Sequence, residues 1–317
     1  MKTAIINKLL AGSLLLSSVM VFTSCDEDDG DLPAQPNTVV KVATDNGFTT
    51  LVGAIAGANL TATLNGTGPF TVFAPTNAAF SAITVPSNQT QLSSLLRYHV
   101  LPGTIRAADV PSPANGLTVG VATVNGDSVY VKRNATGVYI NGVKVDQADV
   151  TATNGVVHVL GTVLNAPSGN IVQTAIAAGF DSLAKAVTVA STGAGSEDLL
   201  SALSNTQGLT VFAPTNAAFT ALLPSLGVTS IDAIPKGTLI NVLKYHVLTF
   251  RGFSSDLSDA LQLPTLLGSD KRLTFTLTGG ARVLGAGNGG TNSNITAVNV
   301  MARNGVIHII DRVLLPL

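Results

Sequence analysis

Apolar positions along this chain follow two periods. Phe48, Leu51, Val52 and Ile55 stand at i, i+3, i+4 and i+7, one face of an amphipathic helix, and Phe180, Leu183, Ala184 and Val187 repeat the spacing. Leu92, Leu95 and Leu96 predict a second helix leading into Tyr98, and Leu239, Val242 and Leu243 predict its counterpart leading into Tyr245. From Thr118 to Val124, Ser128 to Lys132 and Gly137 to Val145 the chain turns to β, rich in Val, Thr and Tyr. Asn125-Gly126 and Asn141-Gly142 suit tight hairpins between these runs, because glycine takes positive φ without a Cβ clash. Leu273 to Leu284 is the matching β region later in the chain, followed by a Gly/Asn loop at Gly285 to Asn294.

The doubling extends to whole motifs. Thr71 to Phe80, TVFAPTNAAF, recurs letter for letter as Thr210 to Phe219. Tyr98-His99-Val100-Leu101 returns as Tyr245-His246-Val247-Leu248, and Asn154-Gly155-Val156-Val157-His158 returns as Asn304-Gly305-Val306-Ile307-His308. The offset drifts from 139 to 147 to 150, as small loop insertions in the second copy would produce. A period this long suits whole domains, since solenoid repeats run to only ~20–50 residues. The helix faces are offset by 132, which places an insertion of about seven residues before the second decapeptide, in the Gly/Ser-rich stretch Ser191 to Ser196. Aligning Asn170 with Thr38 sets the junction near Ala166-Pro167-Ser168-Gly169 and gives domains at 37–166 and 167–317. So short a linker predicts domains that touch or move through a limited arc.

Within the decapeptide, Thr71-Val72-Phe73 reads as strand and Thr76 or Asn77 as the cap of a following helix. With Thr76 as cap, Pro75 and Phe80 take the two hydrophobic-staple positions. Together the three ordered blocks resemble the fasciclin (FAS1) domain, twice over, across roughly residues 37 to 317. The resemblance implies an α+β fold of two tandem FAS1-like domains, each a β-sheet wedge with packed helices, acting as an adhesion module on cell surfaces or in extracellular matrix. His99 and His246 close apolar stretches, where a histidine is usually buried and hydrogen-bonded. The resemblance adds a candidate binding role for Tyr98, His99, Tyr245 and His246, because the Tyr-His region of animal relatives is implicated in integrin contacts. Asp149-Val150 resembles the Asp-Ile adhesion motif of animal fasciclin domains, where the second copy has Asn299-Val300. Gly161 stands where the family pattern favours the aspartate seen at Asp311, so any salt bridge there should be absent from domain one.

Composition narrows the setting. Charged residues are 11% of the chain, and hydrophobic residues, at 46%, suffice for two cores without disulfides. Beyond residue 31 the chain carries 15 basic against 13 acidic residues. So neutral a body argues against nucleic-acid binding, which needs a basic face to displace phosphate counterions. The single cysteine, Cys25, follows Lys2, Lys8 and the apolar run Leu9 to Phe22, the pattern of an export signal over residues 1–24. Its place resembles a bacterial lipobox, in which the thiol is acylated and anchors the mature chain. Asp26-Glu27-Asp28-Asp29-Gly30-Asp31 opens a solvated tether over residues 25–36 and resembles the surface-export signal of Bacteroidota lipoproteins. The expected location is the cell envelope, lipid-anchored and exposed at the outer membrane surface.

Candidate chemistry is sparse. The four histidines form two repeat-related pairs, and no HExxH, Gly-x-Ser-x-Gly elbow, P-loop or Rossmann fingerprint occurs. The expectation is no catalytic residue, no metal and no cofactor. Contact with an extracellular or cell-surface protein or polysaccharide is the expected role, with the membrane reached through the N-terminal lipid alone. The alternatives are a glycan- or nutrient-binding accessory protein, which calls for Tyr130 and Tyr139 exposed on one face, and a structural matrix component with weak self-association.

Overall fold

The decapeptide builds a strand, a turn and a helix start in both copies. The computed structural model describes residues 36–112, 118–193, 195 and 197–317. The export segment 1–24, Cys25 and the acidic run 26–31 lie outside the described residues. In the first half, α1 (Val39–Asp45), α2 (Thr49–Gly57) and α3 (Thr61–Leu64) precede β1 (Phe70–Pro75), α4 (Asn77–Ser81) and α5 (Gln89–Tyr98). Then come β2 (Val100–Pro102), β3 (Val119–Ala122), β4 (Ser128–Asn134), β5 (Gly137–Ile140), β6 (Val143–Ala152) and β7 (Gly155–Leu160). The second half repeats the plan with α6 (Ile171–Ala177), α7 (Asp181–Ser191), α8 (Leu199–Asn205), β8 (Leu209–Pro214), α9 (Asn216–Leu222) and α10 (Lys236–Tyr245). It closes with β9 (Val247–Leu248), β10 (Gln262–Thr265), β11 (Gly268–Thr276), β12 (Arg282–Gly285), β13 (Ser293–Ala302) and β14 (Gly305–Ile310).

Each half holds one seven-stranded sheet, ordered β2-β1-β7-β6-β5-β4-β3 and β10-β11-β12-β13-β14-β8-β9, so the two orders correspond strand for strand. Among the described residues, only β1 with β7 and β8 with β14 pair in parallel. Helices cover one side of this central pair: Leu51, Ile55, Phe80 and Leu96 form a core there, as do Leu183, Val187, Phe219 and Leu243. A second core fills the wedge on the other side, from Phe73, Tyr98, Val129 and Ile140 in the first half and Phe212, Tyr245, Leu273 and Phe275 in the second. This is the α+β wedge that the resemblance implies.

The repeated motifs are structural joints. Thr76 and Thr215 cap α4 and α9 through their hydroxyls, each 3.2 Å from the N3 amide. Asn77 reaches instead to α2, accepting from Thr50 N at 3.0 Å and donating to Gly47 O, and Asn216 does the same for α7 through Ser182 N and Gly179 O. Asn154 accepts from Val39 N at the start of α1 and donates to Leu64 O at the end of α3; Asn304 holds Ile171 N and Leu203 O alike. The glycine after it is required by close approach, since a Cβ on Gly155 would meet Phe70 O at 2.0 Å.

Two details depart from the sequence reading. Gln262–Thr265 is a strand although it contains Pro264; it lies at the sheet edge, where the missing N–H breaks no ladder. Asp311 forms no ion pair among the described residues, accepting instead from Asn294 N at 2.8 Å, Asn294 Nδ2 and Ser293 Oγ. Gly161 therefore costs the first half a set of hydrogen bonds rather than a salt bridge.

Candidate functional site

Four of the five residues singled out for binding are interior. Tyr98, His99, Tyr245 and His246 are at most 2% exposed, so in the folded chain they have no surface to offer a partner. Tyr98 donates to Ser128 O and accepts from Asn141 Nδ2; Tyr245 donates to Arg272 O and accepts from Ala286 N. Each hydroxyl ties the helical layer to the outer strands, and burial raises both phenol pKa values.

The histidines are equally committed. Nε2 of His99 accepts from Leu164 N, which fixes the tautomer that donates from Nδ1 to Leu95 O. His246 makes the same pair with Leu314 N and Val242 O. His158 and His308 take the opposite tautomer, donating from Nε2 to Ile105 O and Gly252 O while Nδ1 accepts from Asp149 N and Asn299 N. Burial pushes His99 and His246 down to about 4, because the charged ring would lose both solvent and its accepting nitrogen. No imidazole nitrogen is left free for a metal, a proton relay or a partner.

Asp149 is the one candidate at the surface, half-buried on a bulge of β6. It sits at φ 59°, and Asn299 on the β13 bulge at φ 61°. Aspartate and asparagine tolerate this left-handed conformation better than other non-glycine residues, so the pair preserves a backbone feature although the charge differs. Each side chain also braces a loop: Asp149 Oδ1 accepts from Ala107 N and Asn299 Oδ1 from Ser254 N, both at 2.9 Å.

These loops, Thr104–Asp109 and Arg251–Asp256, are built alike. Thr71 and Thr210, the first residues of the decapeptides, accept from Ile105 N and Gly252 N at 2.8 Å. Asp109 and Asp256 close each loop by accepting from Arg106 N and Phe253 N. Their surroundings differ entirely. The second loop docks on the sheet of the first half. Arg251 lies 4.0 Å above the Tyr130 ring and donates to the carbonyls of Ala302, Arg303 and Gly305. Phe253, fully buried, tilts against Tyr130 with ring centres 6.1 Å apart. Asp256 pairs with Lys132 at 2.5 Å, with both side chains largely covered. Arg303 and Asp127 meet at the rim. Gly142 completes the fit, since a Cβ there would lie 2.6 Å from Asn299 Nδ2 and 2.8 Å from Phe253 Cβ.

The first loop faces solvent: Thr104, Arg106, Ala108 and Asp109 are exposed. The interface was missed in the sequence, yet the two copies carried a signal for it. Register places Thr104, Arg106, Thr274 and Thr276 where the interface has Arg251, Phe253, Tyr130 and Lys132. Polar surface residues have become an arginine, two aromatics and a lysine only where the halves meet. The docking also decides the glycan question at Tyr130: it shares a sheet face with Tyr139, but Arg251 covers its ring.

Comparison with known proteins finds one family twice in this chain. The Fasciclin domain model matches residues 46–167 and 179–316. Protein sll1483 of Synechocystis is 42% identical over 139 residues, covering 41% of this chain and 74% of that protein. Human periostin is 30% identical over 275 residues, covering 80% of this chain but 29% of periostin. The pig transforming growth factor-beta-induced protein ig-h3 is 39% identical over 130 residues, covering 39% of this chain and 18% of its own length, so this chain spans only a fraction of both animal proteins. A FAS1 domain pair from the insect cell adhesion molecule Fasciclin I aligns at TM-score 0.40 and 21% identity, covering 87% of this chain and 95% of that pair. With the family model matched twice and most of both halves covered, the chain belongs to the fasciclin-domain family.

Proposed function

We propose that this chain is a lipid-anchored adhesion module of a bacterial cell envelope of the Bacteroidota kind, holding a protein or polysaccharide partner without catalysis. One observation carries the reading: a loop that forms a protein-docking surface in the second half is rebuilt in the first half by equivalent hydrogen bonds and left exposed. The partner face is therefore Thr104, Arg106, Ala108 and Asp109, braced by Asp149. Membership of the fasciclin-domain family supports adhesion, and the committed histidine nitrogens support a role without acid–base chemistry. The lipobox-like Cys25 and the acidic run after it support surface anchoring.

Beads coated with the Cys25→Ser chain should adhere to cells of the producing organism or to their isolated surface polysaccharide. The Thr104→Glu/Arg106→Glu variant, altered only at exposed positions, should adhere several-fold less. Coated beads that stick no better than bare ones would sink the adhesion reading. Labelling cells with an alkyne fatty acid tests the anchor separately: incorporation should be lost in Cys25→Ala.

A further inference from the structure

The second half encloses a void that belongs to neither the interface nor the exposed loop. It measures about 70 Å³ and lies where α6, α7 and α8 cover β8 and β14, walled by Ala175, Ala184, Val187, Leu203, Val211 and Ile307. No residue lining it carries a charge at neutral pH. The two polar side chains that reach it are already paired: Thr188 Oγ donates to Ala184 O at 2.9 Å, and both nitrogens of His246 are bonded to backbone groups. A water molecule would find at most one partner here, the acceptor side of the Thr188 hydroxyl, where it needs two or more, so the space favours hydrocarbon.

Its mouth is apolar too. Ile176 on α6 and Leu200 on α8 line the opening and are 55% and 39% exposed. A single exposed aliphatic residue is ordinary on a protein surface. The twin domain shows that these two are not. Ala43 and Ala175 are equivalent, so Ile176 stands where the first half has Thr44; Leu64 and Leu203 accept from the equivalent Asn154 and Asn304, so Leu200 stands where it has Thr61. Both threonines are exposed, so the fold itself does not require an apolar residue at either position.

We propose that the second domain binds one aliphatic chain, inserted end-on between Ile176 and Leu200 into the void, with its polar head left in solvent. The wall has no charge for an ionised group and no free side-chain donor for a polar one, which favours methylene and methyl groups as the inserted part. A free fatty acid and a bilayer lipid share that chemistry. This proposal is independent of the adhesion reading.

cis-Parinaric acid, whose fluorescence rises in a dry site, is titrated into the full-length Cys25→Ser chain, and flotation with phosphatidylcholine vesicles is measured in parallel. The Ile176→Thr/Leu200→Thr variant copies the first half at exposed positions and keeps its fold; Ala184→Phe fills the void as a second, independent block. Saturable fluorescence that weakens at least about tenfold in both variants supports a site for loose chains. Flotation alone, lost in both variants, supports a chain taken from a bilayer. Neither signal in the natural chain, or signals that survive both variants, would overturn the proposal.

Discussion

The loops Thr104–Asp109 and Arg251–Asp256 share their backbone bonds, their bracing bulge and their anchoring threonine, yet one is surface and the other interface. The difference lies in three side chains. Where the first loop has Thr104 and Arg106, the second has Arg251 and Phe253, and the shared aspartate finds Lys132 opposite it only in the second. A duplicated fold therefore provides a frame twice, and substitutions on the frame decide whether it joins the halves or faces outward. The sheet faces show the same divergence. The first presents Tyr130 and Lys132 to its neighbour, while the second keeps Thr274 and Thr276. A head-to-tail contact of this type would build filaments if both faces were equivalent. The aromatic anchors Tyr130 and Phe253 have no counterpart on the free sheet face or the free loop of this chain.

The largest test of this difference is Phe253→Ala, which should cost about 4 kcal/mol in urea unfolding because it empties a fully buried aromatic position. Its twin change, Arg106→Ala, should stay within about 0.5 kcal/mol. Equal costs would erase the distinction between the loops. Lys132→Met comes next: it leaves Asp256 buried without its counter-ion and should cost about 3 kcal/mol, whereas Thr276→Met should be near neutral.

A third prediction concerns what the halves share. His99 and His246 are held near pKa 4 when folded, against an ordinary 6.5 when unfolded. Above pH 6.5 both states are neutral and stability is unaffected. Below it the unfolded chain takes up protons that the folded chain refuses, so stability falls until about pH 4 and then levels off. Each histidine should contribute a loss of about 2 kcal/mol by pH 5, read from urea midpoints against pH. Replacing either ring with glutamine should flatten part of that slope. The smallest effect is the caps: Thr76→Ala and Thr215→Ala should each cost about 1 kcal/mol, and nearly the same amount, because the same decapeptide makes the same bond in both halves.

Identity between the copies made the frame legible. A strand and a helix cap at Thr76 or Asn77 were legible in the local order of TVFAPTNAAF, and the turns in the Asn-Gly pairs. What Asn77 and Asn154 hold was not legible, because their partners are 27 and 115 residues away. Tyr98 and His246 stood out as binding candidates through the family resemblance, yet they recur for bonds made deep in the wedge. The interface was hidden for the opposite reason: its residues do not recur. Repetition exposes what the fold needs, whereas surface function lies in the positions where the copies part, as at Arg106 and Phe253 or Thr61 and Leu200. Strand β10 was not among the predicted β runs, and its Pro264 is accommodated because the strand lies at the sheet edge.

Docking of the second half onto the first is tested most directly by a double-mutant cycle on Lys132→Met and Asp256→Asn, measured in urea with the intact chain. Asparagine keeps the acceptor for Phe253 N, so the cycle isolates the ion pair between the halves. Contact across the interface predicts a coupling of about 2 kcal/mol. Strictly additive costs, with no coupling, would contradict it and leave the two domains as independent beads on one chain.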